Sequence, residues 1–253
     1  MKIFQKGFNY SQDGDGNRLV YHMQGCNLKC PWCANPEGMQ CKGTIVSDPE
    51  WILESICPHG AISGTKVDRT ICVGCKNHEC ITEHDTKGMY LSYQDYTVDE
   101  IVEEVLNNEM MFYDGGGVTF TGGEVTMQFE ELLESLKKLK EHGINTAIET
   151  NGTHIRTEEL FPYVDQLIMD CKLCDPVKHQ KYTGGANEEI MKNIRKAAKE
   201  HPYFHVRVPL IGGVNNATED LEAFVRFFKE INGDNVTFEV LSYHEFGKKK
   251  WEE

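Results

Sequence analysis

The stretch Gly25-Cys26-Asn27-Leu28-Lys29-Cys30-Pro31-Trp32-Cys33 decides how this chain is read. Its spacing, C-x3-C-x2-C, presents three thiolates and no fourth. Thiolates are soft ligands that select iron–sulfur clusters, zinc or copper(I), and a closed structural site normally takes four of them. Three leave a coordination position for something else. Two plainer readings stand beside this one. The loop could be a zinc knuckle with a distant fourth ligand such as His22 or Cys41, or three buried cysteines acting as small apolar residues.

Outward from that loop, and most clearly after residue 98, short apolar runs alternate with amphipathic stretches, the pattern of parallel βα units. The β-rich segments are Leu19 to Gln24, Gly117 to Thr121, Asn145 to Glu149, Gln166 to Asp170, Phe204 to Leu210 and Val236 to Ser242. From Phe129 to His142, Leu132, Leu133, Leu136 and Leu139 mark one helical face, and Gly143 sits where a C-terminal cap belongs. Further helices are expected from about Val98 to Asn107, Asn187 to Glu200 and Thr218 to Ile231. The fold class is therefore α/β, an open partial (β/α)6 barrel. Parallel barrels build their sites at the C-terminal ends of the strands. Cys26, Gly122-Gly123-Glu124, Glu149-Thr150-Asn151-Gly152, Asp170-Cys171-Lys172 and His244 all fall at such ends, and Arg207 lies in the fifth strand.

Composition narrows the function. A chain of 253 residues holds one sizeable core, or a core with a small insert. Lys+Arg 26 against Asp+Glu 40 leaves −14, which argues against nucleic acid as a partner. The start, Met1-Lys2-Ile3-Phe4-Gln5-Lys6-Gly7, is too short and polar for a signal segment, and no run of about 18 apolar residues occurs. The expectation is a cytoplasmic protein with no membrane partner. In that compartment ten cysteines favour metal or redox chemistry over disulfides.

The cysteine spacing resembles that of the radical S-adenosylmethionine (SAM) superfamily. Ala34-Asn35-Pro36-Glu37 after it and Asp13-Gly14-Asp15-Gly16-Asn17-Arg18 before it resemble the N-P-E triplet and D-G-P-G-x-R lead-in of the activating enzymes of glycyl radical enzymes, with Asp15 in place of proline. The resemblance implies that Cys26, Cys30 and Cys33 are the catalytic ligands of a 4Fe-4S cluster whose fourth iron chelates SAM, with Trp32 and Ala34 beside it. Gly122-Gly123-Glu124 looks like the superfamily's G-G-E element at the SAM amino group, although an ordinary strand-to-helix turn has the same composition.

Asp170-Cys171-Lys172-Leu173-Cys174-Asp175-Pro176 is similar to D-x-K-x-x-D-P, which assigns the segment to SAM with Lys172 near its carboxylate. Alternation puts Asp170 and Lys172 on one strand face and Cys171 on the other. Glu149 and Thr150 stand where a monovalent cation is implied, with Glu149 where relatives often carry Asp. Lys178-His179-Gln180-Lys181-Tyr182-Thr183-Gly184 resembles K-H-x-x-Y-T-G, and Arg207 to Asn215 resembles R-x-P-L-I-P-G-x-N with Gly212 for proline. Arg207 is a candidate for a carboxylate or ribose oxygen. His244, in Leu241-Ser242-Tyr243-His244-Glu245-Phe246-Gly247, resembles the histidine of L-P-Y-H-x-x-G, which contacts SAM. The chain runs on only to Glu253, so the final helix of relatives is expected to be short or absent.

Between the barrel segments 1–36 and 98–253 the βα rhythm breaks. Residues 37–97 read as an insert holding Cys41, Cys57, Cys72, Cys75 and Cys80. Many activating enzymes carry a two-cluster ferredoxin-like insert here, and the fourth cysteine of each C-x2-C-x2-C-x3-C-P run ligates the other run's cluster. Cys57-Pro58-His59-Gly60-Ala61-Ile62 resembles the end of a first run, and Cys72-Val73-Gly74-Cys75 with Cys80 resembles a second. The crossing then implies one auxiliary 4Fe-4S cluster on Cys57, Cys72, Cys75 and Cys80, leaving Cys41 over. A zinc site on these thiolates, or on three of them plus His78 or His59, uses the same ligand chemistry. Cys171 and Cys174 form a C-x2-C read as packing or incidental thiols.

The implied activity is reductive cleavage of SAM to a 5′-deoxyadenosyl radical that takes a hydrogen from a glycine of a partner glycyl radical enzyme. Flavodoxin or ferredoxin is the implied electron donor, and the chain is expected to be a monomer. Two other readings remain: a radical SAM enzyme acting on a small metabolite, and an iron–sulfur or zinc protein for electron transfer or binding.

Overall fold

Short apolar runs rich in Val, Ile, Leu and Phe form strands that need cover on both faces. In the computed structural model, which describes residues 1–8, 13–72, 74–84, 88–245 and 247–252, these runs build one large sheet. Val73 and Phe246, quoted in two of the motifs, lie outside the described residues. In chain order the strands are β1 (Lys2–Gly7), β2 (Arg18–Met23), β3 (Ile45–Ser47), β4 (Ile62–Ser63), β5 (Lys66–Val67), β6 (Met89–Leu91), β7 (Gln94–Asp95), β8 (Gly117–Gly122), β9 (Thr146–Thr150), β10 (Gln166–Asp170), β11 (Phe204–Leu210) and β12 (Val236–Ser242). The helices are α1 (Arg69–Cys72), α2 (Glu79–Thr82), α3 (Val98–Asn107), α4 (Phe129–Glu141), α5 (Pro176–Thr183), α6 (Glu188–Glu200), α7 (Thr218–Ile231) and α8 (Lys248–Glu252).

The sheet order is β12-β11-β10-β9-β8-β2-β1-β7. Every pairing from β2 to β12 is parallel. The six parallel strands are the six expected from the sequence, three of them with the expected ends and three with ends moved by one residue. β1 and β7 extend the sheet antiparallel beside β2 and were not expected. In β1 only Ile3 is buried, so the segment lacks the apolar weight that announces a strand. β7 also brings the sheet back at Gln94, three residues inside the expected insert.

The core lies between the sheet and its helices: Tyr21, Phe120, Ile148 and Leu167 from strands meet Leu132, Leu136 and Leu139 of α4 and Ile194 of α6. α3 starts where Thr97 and Glu100 close a reciprocal cap, each side chain accepting the other's backbone N–H. α5 is polar, and its apolar pattern gives no warning of it; Asp175 accepting the Lys178 N–H at 2.7 Å and Pro176 in the first turn start it instead.

At the opposite end from the strand C-termini, Arg18 of the D-G-D-G-N-R segment is buried. Its guanidinium donates to Thr119 Oγ1 and to the Val118 carbonyl, both at 2.7 Å, and to Asn145 Oδ1 at 2.9 Å. It ties β2, β8 and the start of β9 together at the base of the sheet. Residues 45–91 carry two small antiparallel pairs, β3 with β6 and β4 with β5, and a separate apolar cluster of Ile52, Ile56, Ile62, Cys80 and Met89.

Candidate active site

β2 ends at Met23, and the chain then turns sharply into the cysteine loop. Gly25 N–H donates to the Gly38 carbonyl at 2.7 Å and Cys26 N–H to the Met39 carbonyl at 2.9 Å. Gln24 Nε2 donates to the carbonyls of Glu37 and Gln40, both at 2.8 Å. The Asn35-Pro36-Glu37 triplet is thus the brace of the loop, with Pro36 opening a single helical turn. α8 crosses the same segment: Trp251 Nε1 donates to the Cys33 carbonyl at 3.0 Å, and Lys250 pairs with Glu37 at 2.6 Å.

The G-G-E segment presses on the loop from the next strand. Gly123 N–H donates to the Met23 carbonyl and Glu124 N–H to the Gly25 carbonyl. A Cβ on Gly123 would stand 2.4 Å from the Gly25 oxygen and 2.6 Å from the Gly38 oxygen, so only glycine lets these backbones meet. The buried Glu124 carboxylate accepts from Thr126 N, Thr126 Oγ1, Thr150 Oγ1 and Asn151 N, all within 3.0 Å. It fastens the turn after β8 to the turn after β9. Asn151 carries the link onward, donating to Asn27 Oδ1 at 2.9 Å and lying 4.0 Å from Cys26 Sγ.

These turns surround an open cavity with an empty volume of about 1060 Å³, counted to open solvent. Cys26, Cys30 and Cys33 line it, with Trp32 and Ala34 from their loop, Gly122 and Gly123 from β8, Glu149 and Thr150 from β9, Asp170 and Lys172 from β10, Arg207 from β11 and His244 beyond β12. Two expected residues do not line it. Cys171 faces away into the main core, as alternation along the strand requires, and Glu124 is spent on the brace described above. Met39 also lines the cavity and was not foreseen, while Asn151, Asn35 and Tyr243 line it although the sequence motifs that contain them gave them no role of their own. For Asn151 the signal was present, because a polar residue directly after a strand in Thr-Asn-Gly sits where barrels place site residues.

Charge is arranged in pairs. Lys172 Nζ lies 2.6 Å from Asp170 Oδ2. Arg207 donates to Glu149 at 2.7 Å and to Glu239 at 2.9 Å, and Thr121 Oγ1 donates to Glu149 at 2.8 Å. Burial pulls the Lys172 ammonium down, but Asp170, then Cys30 and Cys26, more than offset it, so it stays above its ordinary range and charged. Burial pushes the Cys26 thiol up to about 12 and the Cys30 thiol to about 11, and raises Cys33 as well. Such thiols give up their protons to a metal centre and not to water.

Sulfur spacing bears on the kind of centre. Zinc–sulfur bonds near 2.3 Å in a tetrahedron put sulfurs about 3.8 Å apart. Among the described residues no three cysteine sulfurs approach one another within 4.8 Å; the three ligand atoms that do belong to His59, Cys75 and Glu79. Cys26, Cys30 and Cys33 line the one cavity at the mouth, a soft donor set that suits an iron–sulfur group. In the insert, Cys57, Cys72, Cys75 and Cys80 line a second, smaller cavity with Ile45, Ile62, Val67, Ile71 and Met89.

A parallel half-barrel with three cysteines after its first strand and paired charges around its mouth defines a class of enzyme. The profile of the Radical SAM superfamily matches residues 20–228, and the chain belongs to that superfamily. SuiB of Streptococcus suis bound to its precursor peptide SuiA shares the fold, with a TM-score of 0.56 at 14% identity over 89% of this chain and 39% of that one. Within the superfamily the chain belongs with the activating enzymes of glycyl radical enzymes. It is 30% identical to the indoleacetate decarboxylase activating enzyme of Tractidigestivibacter scatoligenes, over 96% of this chain and 82% of the relative. It is 34% identical to the (2S)-3-sulfopropanediol sulfolyase activating enzyme of Bilophila wadsworthia, over 94% and 83%.

Proposed function

We propose that this chain activates a glycyl radical enzyme through the mouth cavity. The observation that carries the reading is that Cys26, Cys30, Cys33, Asp170, Lys172, Arg207 and His244, dispersed in sequence, line one cavity. When bound, a 4Fe-4S cluster and SAM supply a low-potential electron and a sulfonium whose cleavage yields methionine and a 5′-deoxyadenosyl radical, which takes the hydrogen from a glycine Cα of the partner.

The residues of this chain do the rest. Cys26, Cys30 and Cys33 hold the cluster and leave one position for SAM. Lys172, kept charged by Asp170, would hold the carboxylate of SAM, and Gly122 and Gly123 would leave room for its amino group. Arg207, fixed by Glu149 and Glu239, and His244 would hold the rest of SAM, with Trp32, Ala34 and Thr150 as wall. The partner's glycine loop enters at the open side, since β12 and β7 end the sheet without pairing to each other.

Several finer features belong to this reading. Residues 37–97 act as an insert on a barrel made of 1–36 and 98–253, supported by its separate apolar cluster. The insert holds one auxiliary 4Fe-4S cluster on Cys57, Cys72, Cys75 and Cys80, a reading supported by the four thiols lining one cavity; His59 and Glu79 beside Cys75 keep zinc as the second reading. A monovalent cation at Glu149 and Thr150 has weaker support: Glu149 already pairs with Arg207, and Thr150 Oγ1 already donates to Glu124. The electron donor is a flavodoxin or ferredoxin, the working form a monomer, and the location the cytoplasm; among the described residues no helix is long and apolar enough to cross a membrane.

The test is electron paramagnetic resonance (EPR). Anaerobically reconstituted protein, given SAM, dithionite and a candidate glycyl radical enzyme, is expected to produce the glycyl doublet, with none from a Cys30→Ala control. Consumption of a small molecule without any partner protein, and no doublet, would overturn the reading.

A further inference from the structure

The segment Lys178 to Gly184 contributes no side chain to the cavity, yet its last turn touches the cysteine loop at the midpoint between Cys26 and Cys30. α5 ends at Thr183, where Gly184 adopts the left-handed conformation (φ 76) and its N–H returns to the Gln180 carbonyl. The final carbonyls of a helix lack partners within it. The Thr183 carbonyl accepts from Lys29 N–H at 2.7 Å, so the amide between the first two cysteines caps this helix. Gly185 seats the neighbouring residue: a Cβ there would stand 2.4 Å from Leu28 Cδ2. Leu28 is itself buried and lines the cavity.

His179 holds this turn from inside. Its ring is 1% exposed, and Nδ1 lies 2.7 Å from the Gly185 carbonyl and 3.1 Å from Thr183 Oγ1. The carbonyl only accepts, and the Thr183 hydroxyl spends its proton on the His179 carbonyl at 2.8 Å. Nδ1 therefore carries the hydrogen, which fixes the tautomer. Burial lowers the ring's pKa and keeps it neutral.

We propose that His179 is a positioning residue for the cysteine loop: its Nδ1–H holds the Gly185 carbonyl, and so sets the turn that presents the Thr183 carbonyl to Lys29 and seats Leu28 against Gly185. The inference rests on the reading that this loop carries the SAM-binding cluster. It gives the K-H-x-x-Y-T-G segment a physical task in this chain, linking the strand end that holds Asp170 and Lys172 to the loop that holds Cys26 and Cys30.

Asparagine places an amide N–H near the Nδ1 position, whereas glutamine places it near Nε2. Hydrogen–deuterium exchange of the Lys29 amide, measured on the full chain before iron and sulfide are added, is expected to quicken roughly 5–10-fold in His179→Gln and to stay near the parent value in His179→Asn, with α4 unchanged in both. Equal exchange in parent and His179→Gln overturns the proposal, as does equal acceleration in both variants. If His179→Gln fails to fold, Gly185→Ala decides: unchanged Lys29 exchange there overturns the proposal. After reconstitution, the SAM-induced change in the reduced cluster's EPR spectrum should need several-fold more SAM in His179→Gln and be rescued in His179→Asn. A parent protein that shows no SAM-dependent spectral change would instead sink the functional reading, and the exchange measurements would still judge the turn.

Discussion

Two sets of cysteines lie in this chain, and their surroundings differ more than their ligands. At the barrel mouth, Cys26, Cys30 and Cys33 border a wide cavity walled by Lys172, Asp170, Glu149, Arg207 and His244. In the insert, Cys57, Cys72, Cys75 and Cys80 border a smaller cavity of about 360 Å³ whose other walls are mostly apolar, with His59, His78 and Glu79 on one part of the rim. The same soft ligand type thus stands in two different settings. Fixed charges and an open side suit a centre that must bind a zwitterionic cofactor and release a reactive product. A fourth thiolate and a mostly apolar wall suit a centre that is closed to small molecules.

The contrast is broken most directly by removing one sulfur from each set. Cys30→Ala should abolish 5′-deoxyadenosine formation, a fall of roughly a thousandfold or more, since a missing ligand removes the reacting centre. On the proposed auxiliary cluster, Cys75→Ser should cost the chain about four irons yet leave dithionite-driven SAM cleavage within roughly threefold, because that cluster would do no bond-breaking. Iron content and chromatography of the nucleoside read both. If Cys75→Ser silences SAM cleavage while the mouth cluster remains by EPR, the two regions are not separable.

Charge at the mouth is the next difference. Lys172→Met removes the partner of a carboxylate, a charge-assisted contact of about 2–3 kcal/mol, and should raise the SAM requirement roughly 30–150-fold. A change only in maximal rate would move Lys172 from binding to chemistry. Packing comes third. Gly123→Ala forces a methyl against two backbone oxygens and should destabilise the chain by about 2–3 kcal/mol, lowering the melting temperature by roughly 4–12 °C. An unchanged melting curve would show that the cysteine loop yields.

The smallest effect concerns pH. Asp13 is raised from 3.8 to about 7 by burial and by the neighbouring Glu149 carboxylate. Its protonated form is favoured by folding, so its contribution is complete below about pH 4 and is lost as pH rises through about 7. Asp13→Asn should remove that slope, melting roughly 2–5 °C above the parent at pH 8, with the gain shrinking toward pH 5. A constant difference across that range would place the effect outside titration. Melting curves of the metal-free chain supply the readout.

Legibility in the sequence followed local physics. The six parallel strands were visible because each is a short apolar run, and α3, α4, α6 and α7 because each carries an apolar stripe. β1 and α5 were not, because the first has one buried residue and the second is polar, held by its cap and by tertiary contacts. The mouth residues were found by their position at strand ends. The expectation that Cys171 and Glu124 join them came from motif resemblance, which assigns whole segments and not single side chains. Strand alternation sends Cys171 into the core, and four hydrogen bonds commit the Glu124 carboxylate to structure.

By itself the sequence determined the soft-ligand spacing, the six parallel strands and the separation of two cysteine groups, since spacing and periodicity are properties of a linear chain. Only the tertiary structure decided which groups share the cavity and which merely brace it. Hydrogen bonds such as Lys29 to Thr183 and Glu124 to Asn151 join residues far apart in the chain, and neither partner carries a local mark of the other.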